Sequence, residues 1–232
     1  MSGKTVCLNR PSNFTEKVVA LTFDDGPSPF TTPRILRTLA KYDARATFFM
    51  VGQMVPHREW LVRHIASLGH EIGNHSHSHR PRPPQAVAKF EVDGTEDKLA
   101  AILGYGPRTY RPPYGIEDSS TTVRARQKGM PIVLWTGDTL DWKFKSAQPV
   151  ITRAISALKP GAVLLMHDIH EHTANAVPAI MAVIHQRGYK CITISEMMTK
   201  WNDLALREIA EKKAKAAAAA AAAKATQSGA GK

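Results

Sequence analysis

The sequence predicts an α/β fold in which a parallel sheet is covered by helices. From residue 17 onward, short runs rich in β-branched residues alternate with segments whose apolar residues recur every three or four positions. This alternation is typical of parallel sheets, because each parallel strand pair needs a crossover connection that is usually a helix. The predicted strands are apolar on both faces, which leaves a barrel and a doubly wound sheet as alternatives.

Seven strands and six helices are predicted. In chain order the strands are VVALTF (18–23), ATFFMV (46–51), HEIG (70–73), TYR (109–111), IVLWT (132–136), AVLLM (162–166) and CITI (191–194). The helices are PRILRTLAKY (33–42), REWLVRHIASL (58–68), QAVAKFEVDGTEDKLAAIL (85–103), STTVRARQK (120–128), PVITRAISAL (149–158) and NAVPAIMAVIHQR (175–187). Glycines 69, 129, 161 and 188 fall where helices are expected to end and strands to begin.

The two ends of the chain differ from this pattern. We expect residues 1–16 to form an N-terminal extension and residues 17–202 to form one domain. Residues 203–232 are rich in alanine and lysine, with high helix propensity but too few apolar residues for a core. We expect this tail to be dispensable, helical at first and then disordered. The first ten residues lack the apolar segment of a signal peptide, which predicts a cytosolic protein or a mature form without its leader.

The composition indicates a globular domain with an excess of positive charge. The formal net charge is +11, and six basic against three acidic residues after Trp201 leave +8 for the body. An excess of this kind favours acidic partners such as nucleic acid, anionic lipid or an anionic cell-wall polymer. The basic residues form no block and no stripe interleaved with aromatic residues, so nucleic-acid binding is not predicted. No apolar run is long enough to span a membrane.

The chain has two cysteines, Cys7 and Cys191. Two unpaired thiols are the simpler interpretation, and a single disulfide is the alternative. Closure of a barrel would make the first and last strands neighbours and bring the two cysteines closer. A disulfide would also indicate an exported protein, because the cytosol keeps thiols reduced.

Polar and titratable residues follow five of the predicted strands. They are Asp24 and Asp25, the NHSHSH segment (74–79), Arg111 with PPYG (112–115), GDTLDW (137–142), and His167 with Asp168. Parallel strands deliver such residues to one end of a sheet, and in α/β barrels that end carries the active site. The sequence therefore predicts a catalytic site assembled from several strand ends.

The HSHSH segment (75–79) is a candidate metal site. Asn74 suits a helix N-cap, and Pro81 disfavours helix at Arg80, so we expect one short helical turn. In such a turn His75 and His79, four residues apart, share a face. Two imidazoles with one carboxylate leave open positions, as in catalytic zinc sites and non-haem iron sites. A surface histidine cluster is the alternative, and the neighbouring aspartate pair favours the metal site.

Five motifs together resemble the polysaccharide deacetylases with a NodB homology domain, carbohydrate esterase family 4. They are LTFDDGP (21–27), HSHSH (75–79), RPPYG (111–115), DTLDW (138–142) and LLMH (164–167), in the order of the family. The resemblance covers residues 18–195. It implies a distorted (β/α)7 barrel, similar to a TIM barrel, that removes N-acetyl groups from amino sugars or O-acetyl groups in some members.

The resemblance also implies a role for each motif residue. Asp25, His75 and His79 match the metal ligands, usually of zinc (Zn2+), with ions such as cobalt (Co2+) as alternatives. Asp24 matches the catalytic base and Arg111 the residue that holds it; His167 matches the catalytic acid and Asp141 its support. The Tyr114 backbone N–H matches an oxyanion donor that also binds substrate, and Trp142 and Leu165 match the apolar walls around the acetyl methyl.

We expect a monomeric, metal-dependent N-deacetylase with a polysaccharide substrate. The positive charge favours peptidoglycan over neutral chitin or xylan, and a peptidoglycan substrate implies a periplasmic, cell-envelope or secreted location. Two other hypotheses remain open at this point. One is an oxygenase that uses the same two histidines and carboxylate, and the other is a non-catalytic glycan-binding module.

Overall fold

The computed structural model describes residues 10–229 of the chain. The strands are β1 Val18–Asp24, β2 Thr47–Met50, β3 Glu71–Asn74, β4 Gly137–Asp138, β5 Ala162–His167 and β6 Lys190–Cys191. The helices are α1 Thr32–Ala40, α2 Glu59–Ser67, α3 Ala88–Leu103, α4 Ser120–Gln127, α5 Ala147–Ser156, α6 Glu171–Gln186 and α7 Ile194–Gly229.

All strand pairs are parallel, as the alternating pattern predicted. The order is β3-β2-β1-β5-β4, and β6 also pairs with β1. In the register of β1, Thr22 lies opposite Thr47 of β2 and Leu165 of β5. The carboxyl ends of β1, β3 and β5 therefore lie at the same edge of the sheet, which confirms the expected convergence of the strand ends.

Two short stretches close the sheet into a distorted barrel. Tyr110 makes parallel bridges to Asn74 and to Ile132. The segment that begins at Ile132 then continues into β4, which pairs with β5. The predicted strand 109–111 is reduced to the two bridges of Tyr110, because the two prolines that follow Arg111 have no backbone N–H to donate. This topology belongs to the predicted α/β class.

The bounds of the predicted strand 132–136 were also wrong, because regular strand pairing in this segment occurs only at Gly137–Asp138. Over the preceding residues the chain changes partner. Val133 N–H donates to the Tyr110 carbonyl, whereas Thr136 N–H donates to the Val163 carbonyl. A segment that passes from one neighbour to another within a few residues cannot form a ladder with either.

The last predicted strand, 191–194, ends at Cys191 and α7 begins at Ile194. The Glu196 carboxylate accepts the Thr193 N–H, and Thr193 Oγ1 accepts the Glu196 N–H. This reciprocal arrangement is a capping box, and its T-x-x-E pattern was a helix-start signal in the sequence that the strand prediction overlooked. Helix α7 then runs without a break past residue 203 to Gly229, further than the partly disordered tail that we expected.

Side chains of β1 alternate between two parts of the core. Val19, Leu21 and Phe23 pack in the larger cluster between the sheet and the helices. Val18 and Ala20 pack in the smaller cluster inside the barrel. Because strand side chains alternate between faces, Thr22 and Asp24 belong to the interior face, which positions Asp24 at the mouth of the barrel.

No helix among the described residues combines the length and apolar character needed to cross a bilayer.

Cys191 is buried, and burial raises the pKa of its thiol to about 12. Cys7 lies outside the described residues, so the two interpretations, unpaired thiols and a disulfide with Cys191, both remain open.

Candidate active site

The turn after β1 directs the side chains of Asp24 and Asp25 to different sides. Asp24 ends the strand and is buried, whereas Asp25 has φ of 75° and is partly exposed. The left-handed backbone at Asp25 rotates its side chain away from that of Asp24. Gly26 follows because a Cβ there would lie 2.3 Å from the carboxylate oxygens of Asp168. Adjacent carboxylates thereby face different partners.

Asp25, His75 and His79 form a cluster that could hold a metal ion. Asp25 Oδ1 lies 3.2 Å from His79 Nε2 and 3.5 Å from His75 Nε2. One ligand atom from each residue lies within 4.8 Å of the others. Asp25 Oδ1 is buried without a hydrogen-bond donor among the described residues. A buried carboxylate oxygen without a donor fits a position that faces a cation.

The ring of His75 is oriented for metal binding. Its Nδ1 lies 2.6 Å from the carbonyl oxygen of Arg111. A carbonyl only accepts hydrogen bonds, so Nδ1 carries the proton and Nε2 presents its lone pair to the cluster. Fixing one imidazole nitrogen in this way is the usual arrangement for a metal-binding histidine.

The histidine loop is not the helical turn that the sequence predicted. Ser76 and His79 have φ of 63° and 54°, in the left-handed region. Asn74 Oδ1 accepts the Ser76 N–H, and Ser76 Oγ accepts the His79 N–H. The side chain of Asn74 therefore closes a local turn and caps no helix. The rings of His75 and His79 still meet, with centroids 4.9 Å apart.

Arg111 holds Asp24 inside the barrel. Its side chain is fully buried, and Nη1 donates to Asp24 Oδ1 at 2.8 Å and to Thr22 Oγ1 at 2.7 Å. Nε and Nη2 donate to the carbonyls of Val133 and Leu134. Asp24 Oδ2 is left facing His75 Nε2 at 3.6 Å. One oxygen of Asp24 is thus occupied by the guanidinium, and the other faces the cluster.

His167 and Asp141 form a second pair on the opposite side of Asp25. His167 Nδ1 lies 2.7 Å from Asp141 Oδ1, and His167 N–H donates to Asp141 Oδ2 at 2.7 Å. Burial lowers the pKa of His167, but the hydrogen bond and charge of Asp141 outweigh it and raise that pKa to about 9. His167 is therefore a cation near neutral pH, with Nε2 4.0 Å from Asp25 Oδ2.

Asp141 has two further partners that the sequence did not suggest. Thr173 Oγ1 donates to Asp141 Oδ2 at 2.7 Å, and His172 Nε2 lies 2.6 Å from the Asp141 carbonyl. Both partners lie in α6, which begins at Glu171, four residues before its predicted start. Residues 171–174 were not recognised as part of that helix, so no sequence signal placed these side chains near the site.

The remaining predicted residues lie around the same edge. Tyr114 has φ of 58°, and its ring centroid is 4.7 Å from that of His79. Leu165 is buried on β5 two residues before His167, so both side chains point to the same face of the strand. Trp142 follows Asp141 directly and its side chain is exposed. Asp168 is buried behind the turn, where Thr32 Oγ1 donates to it.

Comparison with known proteins finds relatives that are similar over most of the chain. The polysaccharide deacetylase family model matches residues 12–133. Peptidoglycan-N-acetylglucosamine deacetylase PgdA of Listeria monocytogenes is 36% identical over 189 residues, which cover 81% of this chain and 40% of that protein. The chain therefore spans less than half the length of that relative. A peptidoglycan-N-acetylglucosamine deacetylase of Bacillus cereus is 34% identical over 194 residues, covering 81% of this chain and 90% of that protein.

A solved structure of a relative has a similar fold. Peptidoglycan deacetylase PdaC from Bacillus subtilis superposes with a TM-score of 0.79 at 35% sequence identity. The match covers 85% of this chain and 97% of that one. Sequence and structure thus agree over most of the chain, and the protein belongs to the polysaccharide deacetylase family.

Proposed function

We propose that the protein is a metal-dependent hydrolase that removes the N-acetyl group from N-acetylglucosamine residues of peptidoglycan. The observation that carries this proposal is the position of Asp25. One of its oxygens faces His75 and His79, and the other lies 4.0 Å from His167. A metal ligand set, a buried carboxylate and a cationic histidine therefore meet at one point, as hydrolysis of an amide requires.

Asp25, His75 and His79 are proposed to hold zinc, with cobalt as a substitute. Two imidazoles and one carboxylate suit zinc and leave open coordination positions. A divalent ion bound there supplies Lewis acidity, which polarises the acetyl carbonyl and makes water more acidic. Two observations support this assignment. Asp25 Oδ1 is buried without a hydrogen-bond donor among the described residues, and the tautomer of His75 is fixed by the Arg111 carbonyl.

Asp24 is proposed to be the general base. Arg111 Nη1 lies 2.8 Å from one of its oxygens and fixes that oxygen inside the barrel. The other oxygen faces the cluster and is placed to accept a proton from water. Arg111 acts as a positioning residue in this scheme, because its guanidinium donates to Asp24, to Thr22 and to two carbonyls and has one available orientation.

His167 is proposed to be the general acid. The amine leaves as a neutral molecule only if its nitrogen receives a proton, and His167 carries one at neutral pH. Asp141 holds the ring through Nδ1, so Nε2 is the nitrogen that donates. We assign the Tyr114 N–H to oxyanion stabilisation and Trp142 with Leu165 to the walls around the acetyl methyl.

The substrate assignment rests on charge and on the relatives. The formal net charge of +11 favours a polymer that carries carboxylates, and stem peptides give peptidoglycan such groups. The names of the Listeria and Bacillus relatives refer to peptidoglycan deacetylation. We further propose that the protein acts as a monomer at the cell envelope, in the periplasm or outside the cell, where this polymer lies.

Acetate release from three substrates tests the proposal. Purified peptidoglycan, N-acetylglucosamine oligomers and acetylxylan are compared at equal concentrations of acetyl groups. We expect the highest kcat/KM on peptidoglycan and measurable activity on the oligomers. Activity on acetylxylan alone would refute the substrate, and no acetate from any of the three with zinc bound would refute the activity.

A further inference from the structure

We propose that Glu91, on α3, is a positioning residue that holds the loop between the two histidine ligands in its metal-binding conformation. The inference rests on the metal centre proposed above and adds a residue that none of the five motifs contains. Glu91 lies twelve positions beyond His79 in the sequence. It acts through the loop and touches neither the proposed metal nor the substrate.

Glu91 makes three hydrogen bonds to the loop. Its Oε2 accepts the backbone N–H of His77 at 2.9 Å and that of Ser78 at 2.8 Å. Its Oε1 accepts the hydroxyl of Ser78. The carboxyl side chain is buried, with only 3% of the residue exposed. His77 and Ser78 are two of the three residues between His75 and His79, so Glu91 binds the middle of the loop that joins the two histidines.

The loop needs such an anchor because its backbone is unfavourable. Ser76 and His79 both adopt the left-handed conformation, which L-residues other than glycine avoid. Unfavourable backbone conformations persist only where the surroundings fix them. Asn74 and Ser76 secure the two ends of the loop through side-chain hydrogen bonds, and Glu91 secures its centre.

Loss of Glu91 would leave the two partly buried N–H groups of residues 77 and 78 without their acceptor. The loop would then relax towards conformations with negative φ, and the distance between the Nε2 atoms of His75 and His79 would no longer be fixed. The expected consequence is weaker metal binding. If Glu91 had only a structural role, its loss would lower stability without weakening metal binding.

The same helix offers a matched control. Asp93, two residues further along α3, is largely buried and pairs with Arg124 and Lys128, away from the histidine loop. Replacing Glu91 or Asp93 by methionine removes one carboxylate from α3 in each case. Only the first replacement affects the loop, so the two variants separate positioning from general destabilisation of the helix.

The test uses Co2+ as the probe, with affinity measured by chelator competition and coordination by the visible spectrum. We expect Glu91→Met to weaken Co2+ binding on the order of 10–100-fold, as loss of outer-shell partners does, and to change the spectrum. Glu91→Gln should bind nearly as wild type, because its amide oxygen can accept both N–H groups while its NH₂ donates to Ser78. Asp93→Met should lose stability but keep its Co2+ affinity.

The proposal is wrong if Glu91→Met binds Co2+ with wild-type affinity and spectrum. It is also wrong if Glu91→Gln loses as much affinity as Glu91→Met, because charge would then be responsible, or if Asp93→Met loses as much. Amide hydrogen exchange of the wild-type protein gives a test that needs no variant to fold. The His77 and Ser78 amides should be protected without metal; protection only after Co2+ binding would overturn the proposal.

These measurements are independent of acetate release. A protein that binds Co2+ through this loop and releases no acetate would refute the proposed activity and leave the role of Glu91 intact. Wild-type affinity in Glu91→Met, accompanied by normal acetate release, would refute the role of Glu91 and leave the proposed function intact.

Discussion

Replacing each of the adjacent aspartates by asparagine separates the two roles proposed for them. Asp25 Oδ1 lies within 3.5 Å of both histidine Nε2 atoms, whereas Asp24 Oδ1 is occupied by Arg111 at 2.8 Å. Asp25→Asn should therefore lose metal affinity by more than the roughly 10–100-fold that outer-shell changes cost. Asp24→Asn should keep the metal and lose its proton acceptor, which costs on the order of 10²–10⁴ in kcat.

The assay measures metal content after dialysis and kcat at saturating zinc for both variants. Excess zinc should partly restore Asp25→Asn and leave Asp24→Asn unchanged. Asp24→Asn also removes the charge opposite the buried Arg111, and breaking a buried pair costs about 3–5 kcal/mol, so both rates are measured well below the unfolding midpoint. The reasoning is refuted if Asp24→Asn empties the site while Asp25→Asn retains its metal.

Three further predictions concern titration and substrate binding. In the metal-free protein, Asp141→Asn should lower the pKa of His167 from about 9, because burial lowers that pKa and the hydrogen bond and charge of Asp141 are the largest causes that raise it; an unchanged NMR titration would contradict this. Burial lowers the pKa of His70 to about 4, and the Ala46 N–H donates to its Nδ1. The unfolded chain then binds more protons between pH 6.5 and 4, so stability should fall by about 3 kcal/mol as the pH drops through that range. Urea unfolding of wild type and His70→Gln at pH 7 and 4.5 measures this, and equal pH slopes would contradict it. Trp142→Ala should raise KM for peptidoglycan several-fold with a smaller change in kcat, and an unchanged KM would remove it from substrate binding.

The sequence predicted the parts of the fold that depend on hydrophobic periodicity. The long helices and the apolar strands β1 and β5 formed as expected. A strand that is apolar on both faces has to be covered on both, which favours a parallel sheet packed against helices. The residues at the strand ends also came together as expected, because parallel strands share one carboxyl edge. Metal-binding and catalytic candidates could thus be named before the fold was known.

The parts that were predicted wrongly depend on tertiary contacts. The HSHSH segment has a helix-compatible pattern, but its backbone follows the anchors supplied by Asn74, Ser76 and Glu91. Glu91 lies on a helix whose sequence suggests only an ordinary amphipathic element. Thr173 and His172 contact Asp141 from the start of α6. No local sequence pattern indicates which distant side chain the start of a helix will contact.

Metal-dependent deacetylation of peptidoglycan is best tested by titrating the metal-free protein with zinc while acetate release from peptidoglycan is measured. The rate should rise in proportion to added zinc and reach a plateau at one ion per chain, with no activity before the first addition. Asp24→Asn should bind zinc with the same stoichiometry and stay inactive. Full acetate release by the chelated protein would refute the metal dependence, and no release at full zinc occupancy would refute the proposed activity.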